Sequence, residues 1–258
     1  MKQSLFTIIY EDENIAALNK ASEIAVSPDR WDTSLERLDR LAAGYFRLEK
    51  IFTVHRIDRD TSGLVVFAKN SETHKKLSLA FESRKIKKRY IAVVHGRPSW
   101  KETTCDLPLV PDGNKLHHTI IDKYKGKKSF TAFRLLGSAG NYSVLEALPE
   151  TGRTHQIRVH LASLGHPVVC DELYGNKKPV LLSAIKKNWR GDRQEERPLL
   201  SRLGLHAAEL FIPGYSGTGD TSINDNTGLQ LKAPLPKDMA SLIKQMEKAA
   251  GMDFEGIF

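Results

Sequence analysis

The residues with the clearest capacity for chemistry lie in the segment His55-Arg56-Ile57-Asp58-Arg59-Asp60-Thr61-Ser62-Gly63. Within it, Asp58 lies two residues from Arg56 and directly beside Arg59. Neighbouring guanidinium groups keep a carboxylate ionised, and an ionised Asp can act as a nucleophile or as a base. Arg–Asp neighbours are also common as exposed ion pairs that contribute little to stability. The segment alone therefore leaves two readings open, a reactive carboxylate and a solvated surface cluster.

Two predicted elements would position groups of this kind. The apolar run Leu64-Val65-Val66-Phe67-Ala68 predicts a buried β-strand, and the polar segment before it would be a loop on a rigid scaffold. Residues 154–163 have an apolar stripe at helical spacing and predict a helix. Arg158 lies off that stripe, so we expect its side chain to reach another segment of the chain.

The rest of the chain mixes short strand and helix patterns. Short apolar runs between polar turns predict strands that pair mostly antiparallel, and helical spacing predicts further helices over 34–48, 72–81 and 236–250. Because no repeat or linker stands out, we predict a single α+β domain over residues 1–258, with a mixed, mostly antiparallel sheet flanked by helices and loops. Residues 175–204 are polar, basic and poorly periodic, which indicates an insertion.

Composition narrows the class of protein and its location. The chain has 258 residues, of which 40% are hydrophobic and 27% charged, as is typical of soluble globular proteins. No apolar run approaches the roughly 18 residues that a membrane span needs. The two cysteines form no CxxC motif, which favours a reducing compartment. We therefore predict a cytoplasmic protein without membrane contact, a monomer with no obligate protein partner.

The net charge of +8 favours an anionic partner. Basic residues cluster at 84–89 and 123–128 and, more diffusely, at 177–197. Clusters of this kind bind the phosphates of nucleic acids, and they are also common on solvated surfaces. On charge alone, a nucleic acid is therefore the first candidate for the anionic partner, and sequence motifs are needed to test this.

Three segments together resemble one family. The loop segment resembles the HRLDxxTSG signature of the RluA family of pseudouridine synthases, with Ile57 in place of the usual Leu. Residues 88–92 are similar to its KxYxA strand, and residues 151–160 to its TGRTHQIRxH segment. Asp171 to Gly175 resembles the GDxxYG element, although Cys170 stands where the family usually has Gly. The resemblance covers roughly residues 5–240 in the expected order.

This resemblance implies roles for four residues. The Asp of the HRLD element is catalytic in the family, which maps to Asp58; it would attack the ribose C1′ or remove the C2′ proton, and the sequence leaves both open. Arg56 would lie beside the flipped nucleotide, and Arg158 would pair with Asp58. Tyr90 would stack on the uracil, the alternative being a core tyrosine at the start of a strand. Neither a Walker loop nor zinc-binding His spacing is present, so the sequence indicates no cofactor and no metal.

The expected activity is isomerisation of uridine to pseudouridine in structured RNA, with ribosomal and transfer RNA both open as substrates. The catalytic motif begins too early to leave room for a preceding S4 RNA-binding domain, so the catalytic domain and its insertion would bind the RNA. A non-catalytic RNA-binding protein would keep the basic surface, but it would not need both Asp58 and Arg158. A glycoside or nucleoside hydrolase would need a second acid.

Overall fold

The structure is a computed structural model that describes residues 4–28, 36–114, 118–192, 194–215 and 227–257. In chain order its elements are β1 (Phe6–Glu11), β2 (Ile15–Lys20), α1 (Leu38–Tyr45), β3 (Phe52–Thr53), β4 (Ser62–Ala68), α2 (Ser71–Glu82), β5 (Lys87–His95), β6 (Glu102–Cys105), β7 (Leu109–Val110), β8 (Ile120–Ile121), β9 (Thr131–Ala139), β10 (Tyr142–Pro149), α3 (Gln156–Ser163), β11 (Leu205–Pro213), β12 (Gly228–Lys232) and α4 (Lys237–Ala250). A short 3-10 helix spans Leu182–Ala184.

The chain forms two compact units, each with its own core. The first comprises residues 1–89 and 207–234, and the second comprises residues 90–206 and 235–258. Strands β5 and β11 each begin in one unit and end in the other. Most neighbouring strands pair antiparallel, and four α-helices accompany them in the described ranges, which confirms the predicted α+β class. None of the described helices is long and apolar enough to cross a membrane.

Strand β4 is the centre of the first unit. It is buried along its whole length, as its apolar run predicts. Strands β2 and β3 pair with it antiparallel, and β11 is a further neighbour. Leu64 and Val66 of β4 pack with Ile15 of β2, Leu77 of α2 and Leu210 of β11. The segment 55–61 therefore leads into a strand that is held on both edges and covered by a helix.

The second unit is an antiparallel sheet in the order β5-β10-β9-β6, accompanied by the small β7–β8 pair. Ile157 and Leu161 of α3 pack into its core with Leu145 of β10. The predicted helix over 154–163 is confirmed, but it begins at Gln156. Within residues 175–204 the backbone is irregular, yet buried Val180 and Leu200 join in an antiparallel bridge.

Gly63, the last residue of the segment 55–63, has a backbone conformation that requires glycine. Gly63 has φ +116°, and a Cβ there would lie 2.2 Å from the carbonyl oxygen of Ala207. Any L residue at this position would have a strained backbone, and its Cβ would overlap with the backbone of Ala207. We therefore expect Gly63→Ala to lower the free energy of unfolding by more than about 2 kcal/mol. Urea denaturation of the purified chain would measure this loss.

The matched control is Gly44, which lies in α1 with no atom within 4 Å of a Cβ. Alanine is the better helix former by about 0.8–1 kcal/mol, so Gly44→Ala should leave stability unchanged or raise it slightly. Equal unfolding midpoints for the two alanine variants would contradict the role assigned to Gly63.

Candidate active site

In the first unit, the segment 55–61 holds Asp58 in a turn. The N–H of Thr61 donates to the carbonyl oxygen of Asp58 at 3.2 Å, which closes the turn. Ile57 is buried, Asp58 is half-buried, and Arg56 is exposed. The buried Ile57 fixes the segment on the core, and its two polar neighbours keep contact with solvent.

A buried lysine anchors the same segment. Lys20, at the end of β2, is only 1% exposed. Its ammonium group donates to the carbonyl oxygens of Ala21, Ile24 and Arg59 at 2.8, 2.9 and 2.8 Å. Burial of a charge is costly unless its hydrogen-bonding capacity is satisfied, and an ammonium group has three donors. Lys20 therefore ties residues 21–24 to the residue that follows Asp58.

His55 attaches the other end of the segment to β4. Its Nε2 accepts a hydrogen bond from the N–H of Val66 at 2.9 Å, and its ring stacks on Phe81 with the centroids 4.5 Å apart. Burial, together with the positive charge of Lys88, lowers the pKa of His55 to about 3. The ring is therefore neutral near pH 7, with its proton on Nδ1. His55 therefore anchors this end of the segment to β4 and to Phe81.

In the second unit, Arg158 is part of a buried ion pair. The residue is 2% exposed, and its Nε and Nη2 donate to the two carboxylate oxygens of Asp171, both at 2.7 Å. Its guanidinium carbon lies 5.2 Å from the centroid of the Tyr174 ring. Arg158 thus reaches another segment, as its place off the apolar stripe predicts. The segment it reaches holds Asp171, and the expected pairing with Asp58 stays a prediction.

Asp171 holds Arg158 in one orientation. Burial by itself would raise the pKa of Asp171, but the hydrogen bonds and the charge of Arg158 lower it below the usual value. The N–H groups of Leu173 and Tyr174 add bonds to Oδ1 at 2.9 and 3.1 Å. The carboxylate is therefore ionised at neutral pH, and its two oxygens bind the planar fork of the guanidinium group.

The residue before α3 contacts Tyr174, which also lies against Arg158. His155, just before the helix, has φ +52°, in the left-handed region that non-glycine residues rarely adopt. Its Nδ1 lies 2.8 Å from the hydroxyl of Tyr174, which also accepts the N–H of Thr119 at 2.9 Å. Backbone strain of this kind clusters at functional sites. His155, Asp171 and Tyr174 therefore belong to the surroundings of Arg158.

Sequence reasoning assigned no role to these three residues. Asp171 and Tyr174 were visible only as part of the GDxxYG-like segment, and that resemblance was the available signal. Cys170, where the family usually has Gly, has φ +58° and so keeps a conformation that favours glycine. Burial raises the pKa of its thiol to about 11. The departure from the family pattern therefore adds backbone strain, while Asp171 beside it still forms its ion pair.

Tyr90 lies in β5, opposite Ala147 of β10. The side chain is half-buried and packs against the core of the second unit. This packing fits a core role for part of the ring. The stacking role that the resemblance implies stays a prediction.

Comparisons with known proteins agree with the motifs. A family described as RNA pseudouridylate synthase matches residues 14–163. The ribosomal large subunit pseudouridine synthase D of Zymomonas mobilis is 34% identical over 251 residues, which cover 93% of this chain and 72% of the relative. An uncharacterised RNA pseudouridine synthase of the same organism is 35% identical and covers 91% of this chain and 96% of its own length.

The fold agrees as well. The structure of human RNA pseudouridylate synthase domain containing 1 superposes with a TM-score of 0.67 at 24% identity, and the match covers 98% of this chain and 99% of that one. The structure of human RNA pseudouridylate synthase domain containing 4 gives a TM-score of 0.68 at 21% identity. Profile, relatives and fold thus agree with the three motifs, and the chain belongs to the RluA family of RNA pseudouridine synthases, which are isomerases.

Proposed function

We propose that this synthase isomerises uridine in ribosomal RNA and that Asp58 is its catalytic carboxylate. The observation that carries the proposal is the turn at residues 55–61, where a half-buried Asp58 follows an exposed Arg56 and a buried Ile57. Ribosomal RNA is favoured because relatives at 33–36% identity are named ribosomal large subunit pseudouridine synthases D and C.

The chemistry requires an ionised carboxylate beside the sugar. The reaction breaks the bond between the ribose C1′ and N1 of uracil, turns the base and forms a bond from C1′ to C5; C5 then loses its proton and N1 gains one. Cleavage of the glycosidic bond builds positive charge on the sugar, which a nearby carboxylate stabilises. Asp58 would attack C1′ or remove the C2′ proton. A second catalytic acid is unnecessary, because the uracil never leaves the site.

The other predicted site residues would act on the flipped nucleotide. Removal of a uridine from its stack costs a few kcal/mol, least where the base is already unpaired. Arg56, being exposed, would contact the flipped nucleotide, and Tyr90 would stack on the uracil. Arg158 would hold the carboxylate of Asp58 in this proposal.

The basic run 84–89 is only partly available to phosphates. Arg84, Lys85 and Lys87 are exposed. Arg89 forms a salt bridge with Glu209 at 3.0 Å, and burial lowers the pKa of Lys88 to about 8. We therefore assign RNA contact to the three exposed cations of this run.

An isomerisation assay tests the proposal. The purified chain is incubated with deproteinised large-subunit ribosomal RNA and, separately, with total transfer RNA, and pseudouridine is mapped by carbodiimide labelling. Pseudouridine in the ribosomal RNA is the expected result. Release of free uracil would indicate a hydrolase, and binding without product would indicate a non-catalytic RNA-binding protein. Product in transfer RNA alone would overturn the substrate assignment.

Substitutions at Tyr90 separate stacking from a core role. If the ring replaces lost base stacking, Tyr90→Ala should weaken RNA binding by about 1–3 kcal/mol, while Tyr90→Phe should bind normally. Filter binding and single-turnover rates would measure both variants. A Phe variant that binds but does not turn over would assign the hydroxyl to proton transfer. Wild-type binding and turnover by the Ala variant would leave Tyr90 as a core residue only.

A further inference from the structure

A second aromatic side chain lies on a basic loop outside the proposed active site. The loop comprises residues 122–128, Asp-Lys-Tyr-Lys-Gly-Lys-Lys, and is called the basic loop below. Tyr124 at its tip is 98% exposed, whereas Tyr45, the next most exposed large apolar side chain in the described ranges, is 60% exposed. Tyr45 also packs edge-on against two phenylalanine rings. Tyr124 thus offers both faces of its ring to solvent.

The backbone of the basic loop is held in one conformation by internal hydrogen bonds. The carboxylate of Asp122 accepts the N–H groups of Tyr124 and Lys125 at 2.8 and 2.9 Å, and these two bonds lower the pKa of Asp122. The N–H of Gly126 donates to the carbonyl oxygen of Asp122 at 2.9 Å. A Cβ at Gly126 would lie 2.3 Å from that oxygen, so the turn requires glycine.

The C-terminal end of the basic loop is attached to buried or structured segments of the second unit. Lys127 and the fully buried Leu109 exchange two backbone hydrogen bonds, at 2.9 and 3.1 Å. The carbonyl oxygen of Lys128 accepts a bond from Nε of Arg153 at 3.2 Å. Arg153 belongs to the TGRTHQIR-like segment that leads into α3. The loop therefore presents Tyr124 from a fixed base next to that segment.

The charge of the basic loop is strongly positive. Four of its seven residues are exposed lysines, namely Lys123, Lys125, Lys127 and Lys128. Within the described part of the chain, none of the four ammonium groups forms a salt bridge with a carboxylate. Asp122 is the one acidic residue of the loop, and its carboxylate faces the backbone N–H groups. The lysines thus surround the exposed ring with positive charge.

We propose that the basic loop is an RNA-binding site, in which Tyr124 stacks on an unpaired base and the lysines bind the adjacent phosphates. The inference rests on the proposed RNA-modifying function. An exposed ring next to cations is the arrangement that binds single-stranded RNA, because every base has a face on which an aromatic ring can stack. A loop that inserts into a membrane would carry several large apolar side chains, and here Tyr124 is the only one among residues 122–128.

Binding of a short RNA tests the inference directly. The full chain is titrated into a fluorescein-labelled, unstructured single-stranded RNA of about 12 nucleotides, and fluorescence anisotropy gives the Kd. We expect Tyr124→Ala to weaken binding about five- to hundredfold and Tyr124→Phe to bind within about twofold of wild type. Tyr45→Ala is the matched control and should leave the Kd unchanged. Thermal unfolding of each variant confirms that the fold is kept.

The salt dependence of the same titration tests the lysines. The double substitution Lys123→Gln with Lys125→Gln should flatten the slope of log Kd against log salt by up to about 1.4, because each phosphate contact on a single strand contributes about 0.7. A Tyr124→Ala variant that binds the RNA as wild type does would overturn the inference. Pseudouridine formation by the wild-type chain in the assay above would then leave the proposed function standing.

A membrane partner of the basic loop would give different effects of Tyr124→Ala on RNA binding and on vesicle binding. If Tyr124→Ala impaired binding to phosphatidylglycerol vesicles but not to the RNA, the loop would be a membrane contact and the inference would be wrong. If the wild-type chain neither bound the RNA nor formed pseudouridine in ribosomal or transfer RNA, the proposed function would fail together with this inference.

Discussion

Replacement of Asp58 by Asn should reduce pseudouridine formation by at least about a thousandfold, while the affinity for RNA changes less than about twofold. The amide has the shape of the carboxylate, and the turn bond from Thr61 uses only the backbone carbonyl of Asp58, so the segment should keep its conformation. The amide can neither attack C1′ nor take up the C2′ proton. Single-turnover assays with excess enzyme, combined with filter binding, would separate the two effects.

Asp60 offers a matched control two residues away. Its Oδ1 lies 3.7 Å from the Nε of Arg59, and both side chains are about half exposed. Exposed pairs of this kind contribute little to stability, so Asp60→Asn should lower turnover by no more than a few fold. Complete loss of product in Asp60→Asn, with an active Asp58→Asn enzyme, would mean that the wrong carboxylate has been assigned.

The second large effect is expected at the buried pair of Arg158 and Asp171. Asp171→Ala would leave a buried guanidinium group without its carboxylate, and removal of one partner of a buried pair typically costs about 3–5 kcal/mol of unfolding free energy. Because the folded state lowers the pKa of Asp171, the pair stabilises the fold above the unfolded pKa of about 3.9, and the contribution is lost as the pH falls through the folded value. Urea denaturation at pH 7 and in an acid series would measure both.

A partly exposed pair in the same unit is the control. Arg202 binds Asp238 with the same bidentate geometry, at 2.7 and 2.8 Å, but the Asp238 side chain is 39% exposed. Asp238→Ala should therefore cost less than about 1 kcal/mol. Equal losses of unfolding free energy in the two Ala variants would show that burial adds nothing to the stability of the pair.

Arg158→Lys should also reduce the rate of turnover, since an ammonium group cannot replace the planar fork of the guanidinium group.

Features that depend on neighbours in sequence were predictable. The buried strand β4 follows from its continuous apolar run, and α4 follows from helical spacing over 236–250. A loop around Asp58 was expected, because a polar segment precedes this apolar run. The absence of a linker in the sequence also has a structural counterpart, since the chain passes between the two units within strands β5 and β11.

Features that depend on distant partners were not predictable. An apolar stripe on α3 suggests a polar face in water, yet residues 156–161 are all buried. Their polar side chains are tolerated because partners elsewhere satisfy them, as Asp171 does for Arg158. Asp171 follows the helix by several residues, so no helical spacing could connect the two. The left-handed backbone at His155 is equally invisible in a pattern of residue types.

The first unit is built from two separate stretches of the chain, residues 1–89 and 207–234, and this has a consequence for its synthesis on the ribosome. Its core combines Leu64 and Val66 with Leu210 and Ile212, and the entire stretch 90–206 separates these partners along the chain. A nascent chain that has been synthesised only as far as residue 89 therefore lacks the β11 neighbour of β4, and apolar side chains stay exposed until β11 emerges. Closure of so long a loop is entropically costly and slow, and exposed strand edges favour aggregation. The segment carrying Asp58 should thus acquire its final support only after β11 has been synthesised.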